Sequence, residues 1–448
     1  MLGTTPNSSQ GNLFYPQLKN IINLNHPLCQ LAAEIDWAMF EDTFSHYYSN
    51  KGRPSHPIRL MVGLLIIKQL DGLGDETIVA KWVENPYYQY FCGMDVFQWK
   101  RPIDPSDLVY FRNRIGKAGA ELILKSSVQI HGQQAEEEEV LVDTTVQTKA
   151  ITYPTDAKLH KRIIEYGWSI ADEEEIKLRQ SYKRTVKELM KSQYNSQHPR
   201  RAKSAKKGLK RLRTITGRLL RDIVRKLPED RLSFYAPLLQ RFEHIMNQKR
   251  GDSDKIYSLH ATEVACIAKG KAFPKYEFGS KVALVQTKMS GIIVSAQNFQ
   301  GNPHDSHTLL DTFLQYNRIT DGLPKVAIVD RGFRGANKVL GVDILKPDKP
   351  TKGKSAYQKA KARKRFRRRA SIEPVIGHLK DRFKLKRNWL KGTKGDQINV
   401  SLAAAAFNFK KWMNLREEIL FAWIKYSVLR LYFSLGYGNT TLVIKYAA

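Results

Sequence analysis

Cysteine is almost missing from this chain. The three present, Cys29, Cys92 and Cys266, are far apart and belong to no CxxC pair or Cys/His cluster. A disulfide framework or structural zinc site is therefore not expected, and a reducing compartment fits. Long apolar runs are lacking too: LMVGLLII and the tail segment FAWIKYSVLRLYF are too short or too charged to span a bilayer. The opening stretch MLGTTPNSSQGNLF has no basic start followed by an apolar core, so no signal peptide is expected there. Together these absences predict a soluble intracellular protein. Acid is scarce as well, with 43 Asp and Glu facing 74 Lys and Arg for a net charge of +31. That imbalance argues for a polyanionic partner rather than for any fold.

What is there is globular: 448 residues, 42% apolar and 26% charged, enough for two or three domains. The excess base is concentrated. Residues 352–391 hold 16 Lys and Arg against two acids, and residues 198–226 hold 12 against one.

Residues 1–27 read as a flexible polar lead. From Leu28 to about residue 118 the pattern is helical, with DPSDLVYFRNRIG entering on a capping sequence. The helices flanking Asp71–Gly74 are laid out like a helix-turn-helix, and equally like a joint in an ordinary helical bundle. Arg112 and Arg114 are candidate phosphate contacts or plain surface residues. EEEEVLVDTTVQTKA then switches from an acidic run to a β-branched strand with Asp143 at its centre, where a carboxylate is costly unless neutralised. Residues 153–250 are helical and charged. In them KKGLKRLRTITGRLLRDIVRKL predicts a helix with one strongly basic face, better suited to nucleic acid than to water alone.

Strand character returns over 281–298 as a hairpin turning at Met289-Ser290-Gly291. GNPHDSHTLLDTFLQYN reads as a loop leading into an amphipathic helix. The apolar run Val326–Val329 then stops at Asp330, beyond the carboxyl end of a strand, where ligands gather in open α/β sheets. The basic stretch FRRRASIEPVIGHLKDRFKLKRNWLK holds Glu373. If it is helical, at about 100° per residue Phe366, Arg369, Glu373 and Lys380 share one face. Pro374 leaves open a helix that instead starts at Ser371. SLAAAAFNFKKWMNLREEILFAWI predicts a core-packing helix, and residues 416–448 a peripheral extension.

Acids at a strand centre, a strand end and a basic helix are what two-metal phosphoryl transfer requires: carboxylates holding two divalent cations roughly 4 Å apart. Hard oxygen ligands favour Mg²⁺, with Mn²⁺ as substitute. GRPSHPIRLMVGLLIIKQLDGLGDETIVAKWVENPYYQYFCG, KIYSLHATEVACIAKGKAFPKYEFGSKV, GNPHDSHTL, VAIVDRGFRG and IEPVIGHLKDRF together resemble the DDE transposases of bacterial insertion sequences, in the group of families four and five.

The resemblance implies an α/β fold: a ribonuclease H-like mixed-sheet catalytic core over 136–152 and 251–415. The helical N-terminal domain (28–118), a DNA binder, would precede it, a basic helical insertion (153–250) would interrupt it, and an extension (416–448) would follow. It implies Asp143, Asp330 and Glu373 as the catalytic, metal-holding triad with two Mg²⁺ ions. The group's Tyr-x2-Arg-x3-Glu-x6-Lys motif falls on Phe366, Arg369, Glu373 and Lys380, with Phe366 lacking the tyrosine hydroxyl. Arg369 and Lys380 would grip phosphates, with Arg367, Arg368, Lys384, Lys386 and Arg387 as further DNA contacts. Expected partners are duplex DNA, as terminal inverted repeats and as target, and a second copy of the chain. Neither a membrane nor a nucleotide cofactor is expected, and the setting would be the bacterial cytoplasm at the nucleoid. A lapsed transposase that only binds DNA, a nuclease for RNA hybrids and a basic scaffold are the rival readings.

Overall fold

The β-branched run after the acidic stretch forms the axis of the molecule, strand β1 (Glu139–Thr148). The computed structural model describes residues 17–434 apart from 50, 53, 250, 269–274, 336 and 348–354, and omits the side chains of 359, 361–365 and 417–434. Residues 1–16 of the expected lead and 435–448 of the expected extension lie outside the described residues.

Before β1 come seven described α-helices: α1 (Leu18–Ile21), α2 (Pro27–Glu34), α3 (Trp37–Ser45), α4 (Ile58–Leu70), α5 (Asp75–Glu84), α6 (Pro86–Phe91) and α7 (Pro105–Gln129). Their starts are written locally. Asn85 caps α6 and Pro86 opens it, while at α7 Asp104 and Asp107 close a capping box around Pro105. Gly116, at φ 63°, kinks α7, which runs past the boundary expected at 118. The described part of the lead is not loose: Leu18 is fully buried and its N–H donates to Asp95 O (2.8 Å). Helix α4 is buried on nearly every side, so its sequence is apolar all round rather than striped.

After β1 the chain leaves the sheet for α8 (Asp156–Glu173), α9 (Lys183–Ser192), α10 (Pro199–Lys226) and α11 (Glu229–Asn247). It returns through β2 (Ala265–Ala268), the hairpin β3 (Tyr276–Thr287) and β4 (Ile293–Phe299), α12 (Leu309–Thr320), β5 (Val326–Ile328), β6 (Lys338–Val339) and β7 (Val342–Leu345). Helices α13 (Ala356–Arg367), α14 (Ile372–Asp381) and α15 (Gly392–Ser434) complete it. Strand order is β2-β3-β1-β5-β7-β6, with β4 also on β3. β3 runs antiparallel to β1 and to β4, whereas β5 is parallel to β1 and β7 to β5. The sheet is therefore mixed.

One hydrophobic core runs from Leu28 through the N-terminal helices and the sheet to Met413. The expected N-terminal domain and the sheet thus share one interior. α15 lies against α2, α4, α7 and β4, and it continues without a break across the boundary expected at 415. The helices after β1 have a second core of their own, from Ala157 to Leu259. Among the described residues no helix is long and apolar enough to cross a membrane.

Candidate active site

Asp143 sits in the middle of β1, and β5 pairs with β1 in parallel so that Leu141 stands beside Ile328. Two residues further along each chain, Asp143 and Asp330 come level. Between them reaches Arg369, from a 3₁₀ turn (Arg368–Ser371) that separates α13 from α14. Its Nη2 donates to Asp143 Oδ2 at 3.2 Å and lies 3.8 Å from Asp330 Oδ2. Two neighbouring carboxylates in a half-buried site repel one another, and the guanidinium offsets that. Asp143 Oδ1 also accepts the Thr144 N–H (2.8 Å), and Asp330 Oδ1 accepts the Gly332 N–H (2.8 Å). These short backbone contacts hold both side chains in place.

Glu373 lies outside this pair. It stands exposed in the first turn of α14, a helix packed on β1, and makes no hydrogen bond or ion pair with a described residue. The helix begins at Ser371, one of the two starts the sequence left open, so Pro374 falls harmlessly in the first turn. Because a 3₁₀ turn interrupts the segment, Phe366, Arg369, Glu373 and Lys380 do not follow one helical face. Among the described residues no three Asp, Glu, His or Cys side chains meet closely enough to hold a metal ion. The Asp143–Asp330 pair nevertheless fits a hard cation, since two carboxylate oxygens converge on a point that a cationic nitrogen takes.

A third acid adjoins the pair, one to which the sequence pattern assigns no role. Asp305 Oδ1 accepts from Thr144 Oγ1 (2.9 Å) and pairs with Lys281 Nζ (3.0 Å). Its Oδ2 faces Gly332: a Cβ on that residue would lie 2.8 Å from Asp305 Oδ2 and 2.9 Å from Asp330 Oδ1. Only glycine lets both carboxylates close on this turn. The signal is the acid in GNPHDSHTL, a stretch that by itself reads merely as loop.

The expected DNA contacts divide. Lys386 is exposed, 3.7 Å from Asp381, and Arg387 stacks 4.7 Å over the exposed Trp389 ring. Arg367 is exposed. Phe366 instead packs against the core. Arg368 donates to Lys288 O and Met289 O in the β3–β4 turn, at 3.0 Å each. Lys380 pairs with Glu277 at 3.5 Å. Lys384 donates to Leu73 O in the α4–α5 turn, and burial lowers its pKa. Those last three cations are already engaged within the protein, for which isolated sequence positions give no warning.

Arg112 is no phosphate contact. It is buried and holds Asp75 through two hydrogen bonds (2.9 and 2.6 Å), beside Lys68 at 2.7 Å. Arg114 stacks 4.5 Å over Tyr48. The helix-turn-helix layout at Asp71–Gly74 has its turn tied to the core, with Gln69 Nε2 donating to Phe383 O (2.6 Å). The exposed positions of α5, Glu76, Thr77, Lys81 and Glu84, carry two acids that a phosphate backbone would repel.

The family model described as Transposase domain (DUF772) matches residues 16–114, and that described as Transposase DDE domain matches residues 252–409. An uncharacterized protein, ORF8 in the nfe locus of Rhizobium meliloti, is 43% identical over 192 residues, which are 42% of this chain and 93% of that protein. No solved structure matches. Asp330 falls inside the second match and Asp143 between the two, and on these domain matches the chain belongs to the DDE transposases, enzymes of DNA transposition and mobile elements.

Proposed function

We propose that the protein binds the terminal inverted repeats of an insertion sequence, of the group of families four and five, and cuts and rejoins DNA there. Water would attack the phosphodiester at the element's end, and the freed 3′-hydroxyl would then attack target DNA. One observation carries this reading: Asp143 and Asp330, 187 residues apart in the chain, flank a single guanidinium nitrogen. The order β4-β3-β1-β5-β7, two antiparallel pairings followed by two parallel ones, supports a ribonuclease H-like core.

In this reading Asp143 and Asp330, joined by Glu373, would hold two Mg²⁺ ions, with Mn²⁺ as substitute. The ions supply activation of the attacking oxygen and stabilisation of the leaving one. Arg369 and Lys380 would exchange their carboxylate partners for phosphates near the cut bond. Asp305 would brace the site by accepting from Thr144 on the strand of Asp143 while lying close against the turn after Asp330. The exposed cations of α10, Lys203, Lys206, Lys207, Lys210 and Arg211 among them, would track the DNA backbone. A homodimer assembled on DNA in the bacterial cytoplasm, at the nucleoid, would handle two ends together.

The test is Mg²⁺-dependent nicking of duplexes carrying the inverted repeats that flank the coding region. Asp143→Asn, Asp330→Asn and Glu373→Gln should each abolish nicking while leaving DNA retention in gel shifts nearly intact. Any variant that still nicks removes its residue from the triad, and a wild-type protein that binds the repeats without nicking leaves only a DNA binder.

A further inference from the structure

The contact between Arg369 and the two aspartates is more than charge balance. Its side chain is mostly buried, at 18% exposure, yet Nη2 is shared unequally between Asp143 and Asp330 while Nε is buried with no hydrogen-bond partner. A guanidinium that leaves a buried donor unused is held in a suboptimal place. The turn that carries it is pinned from the other side, because Arg368 donates to the Lys288 and Met289 carbonyls. Glu373, four residues on, faces solvent.

We propose that Arg369 is the resident counter-ion of the DNA-free site: it stands in for the cation between Asp143 and Asp330, and a DNA phosphate must draw it off before those carboxylates can take a divalent ion. This rests on the reading of Asp143 and Asp330 as the metal-holding pair. The two occupants exclude each other, since a guanidinium nitrogen within hydrogen-bond distance of Asp143 fills the ground a dication needs and repels it. The aspartates, fixed on their strands, reach only Nη2, whereas a phosphodiester arriving from solvent brings two non-bridging oxygens that can accept from Nε and Nη2 at once. DNA and metal therefore bind cooperatively, by a coupling that is reciprocal. The free enzyme stays poorly loaded and does not cut at random.

The experiment measures Mn²⁺ affinity of the full-length protein by the EPR signal of unbound Mn²⁺, with no turnover required. Without DNA, Arg369→Gln should bind Mn²⁺ about tenfold or more tightly than wild type. Asp143→Asn in the Arg369→Gln background should lose that gain. A short duplex of random sequence, corrected for the ions it binds alone, should tighten the wild-type affinity and leave Arg369→Gln unchanged. Equal affinity in wild type and Arg369→Gln, both lost with Asp143→Asn, overturns the counter-ion and keeps the site. Mn²⁺ binding indifferent to Asp143→Asn overturns the site itself. The duplex arm needs only wild-type protein: an affinity that DNA does not change refutes the proposal even if Arg369→Gln fails to fold.

Discussion

At Asp75 one carboxylate serves two buried cations, Lys68 and Arg112. Their hydrogen bonds and charges outweigh its own burial and hold its pKa down at about 2, from 3.8. Burial dominates at Lys68 instead and lowers its pKa to about 8. The bidentate Arg112 contact is the tighter, so Asp75 is best described as an Arg112 partner that Lys68 also approaches. Since the folded carboxyl titrates below the unfolded one, this pair contributes stability above about pH 4 that is lost as pH falls towards 2. Wild-type protein should lose stability over that window, and Arg112→Ala should cost about 3 kcal/mol at neutral pH in urea denaturation. Gly332 is as exacting for a different reason, because a Cβ there would strike both Asp305 and Asp330. Gly332→Ala should slow nicking about a hundredfold by displacing one of them, with little change in thermal melting.

At the scale of elements, α10 pairs a buried stripe, including Leu212, Ile215, Leu219 and Ile223, with a wet basic face. Replacing Lys203, Lys206, Lys207, Lys210 and Arg211 by Gln leaves the stripe untouched. DNA affinity should fall, and the slope of log K against log salt should flatten by roughly 0.9 for each phosphate no longer neutralised; an unchanged slope would make α10 mere surface. The hairpin, the strand through Asp143 and the capped entry of α7 were all legible, because alternation, β-branching and caps are local properties. The break between α13 and α14 was half legible: Ser371 and Pro374 mark a start, whereas the 3₁₀ turn that aims Arg369 inward depends on what it packs against.

Among the described residues two separate hydrophobic cores form, one under the sheet and N-terminal helices and one inside the insertion. Calorimetry of the full chain should therefore resolve two transitions rather than one. The N-terminal helices should melt with the sheet, since they share its interior and since Lys384 and Gln69 tie the α4–α5 turn to the segment after α14. A charge variant on the exposed face of α10 should leave both transitions in place while weakening DNA retention.

By itself the sequence determined the basic balance, the helical and strand segments and the acids worth watching, since composition, periodicity and capping act over a few residues. Only the tertiary structure decided which charges are spent inside. Arg112, Arg368, Lys380 and Lys384 look like surface cations in the chain and are partnered in the fold. It likewise brought Asp305 beside Asp330 and set Arg369 between Asp143 and Asp330. The pairing of a charge depends on atoms hundreds of residues away, and no local pattern carries that information.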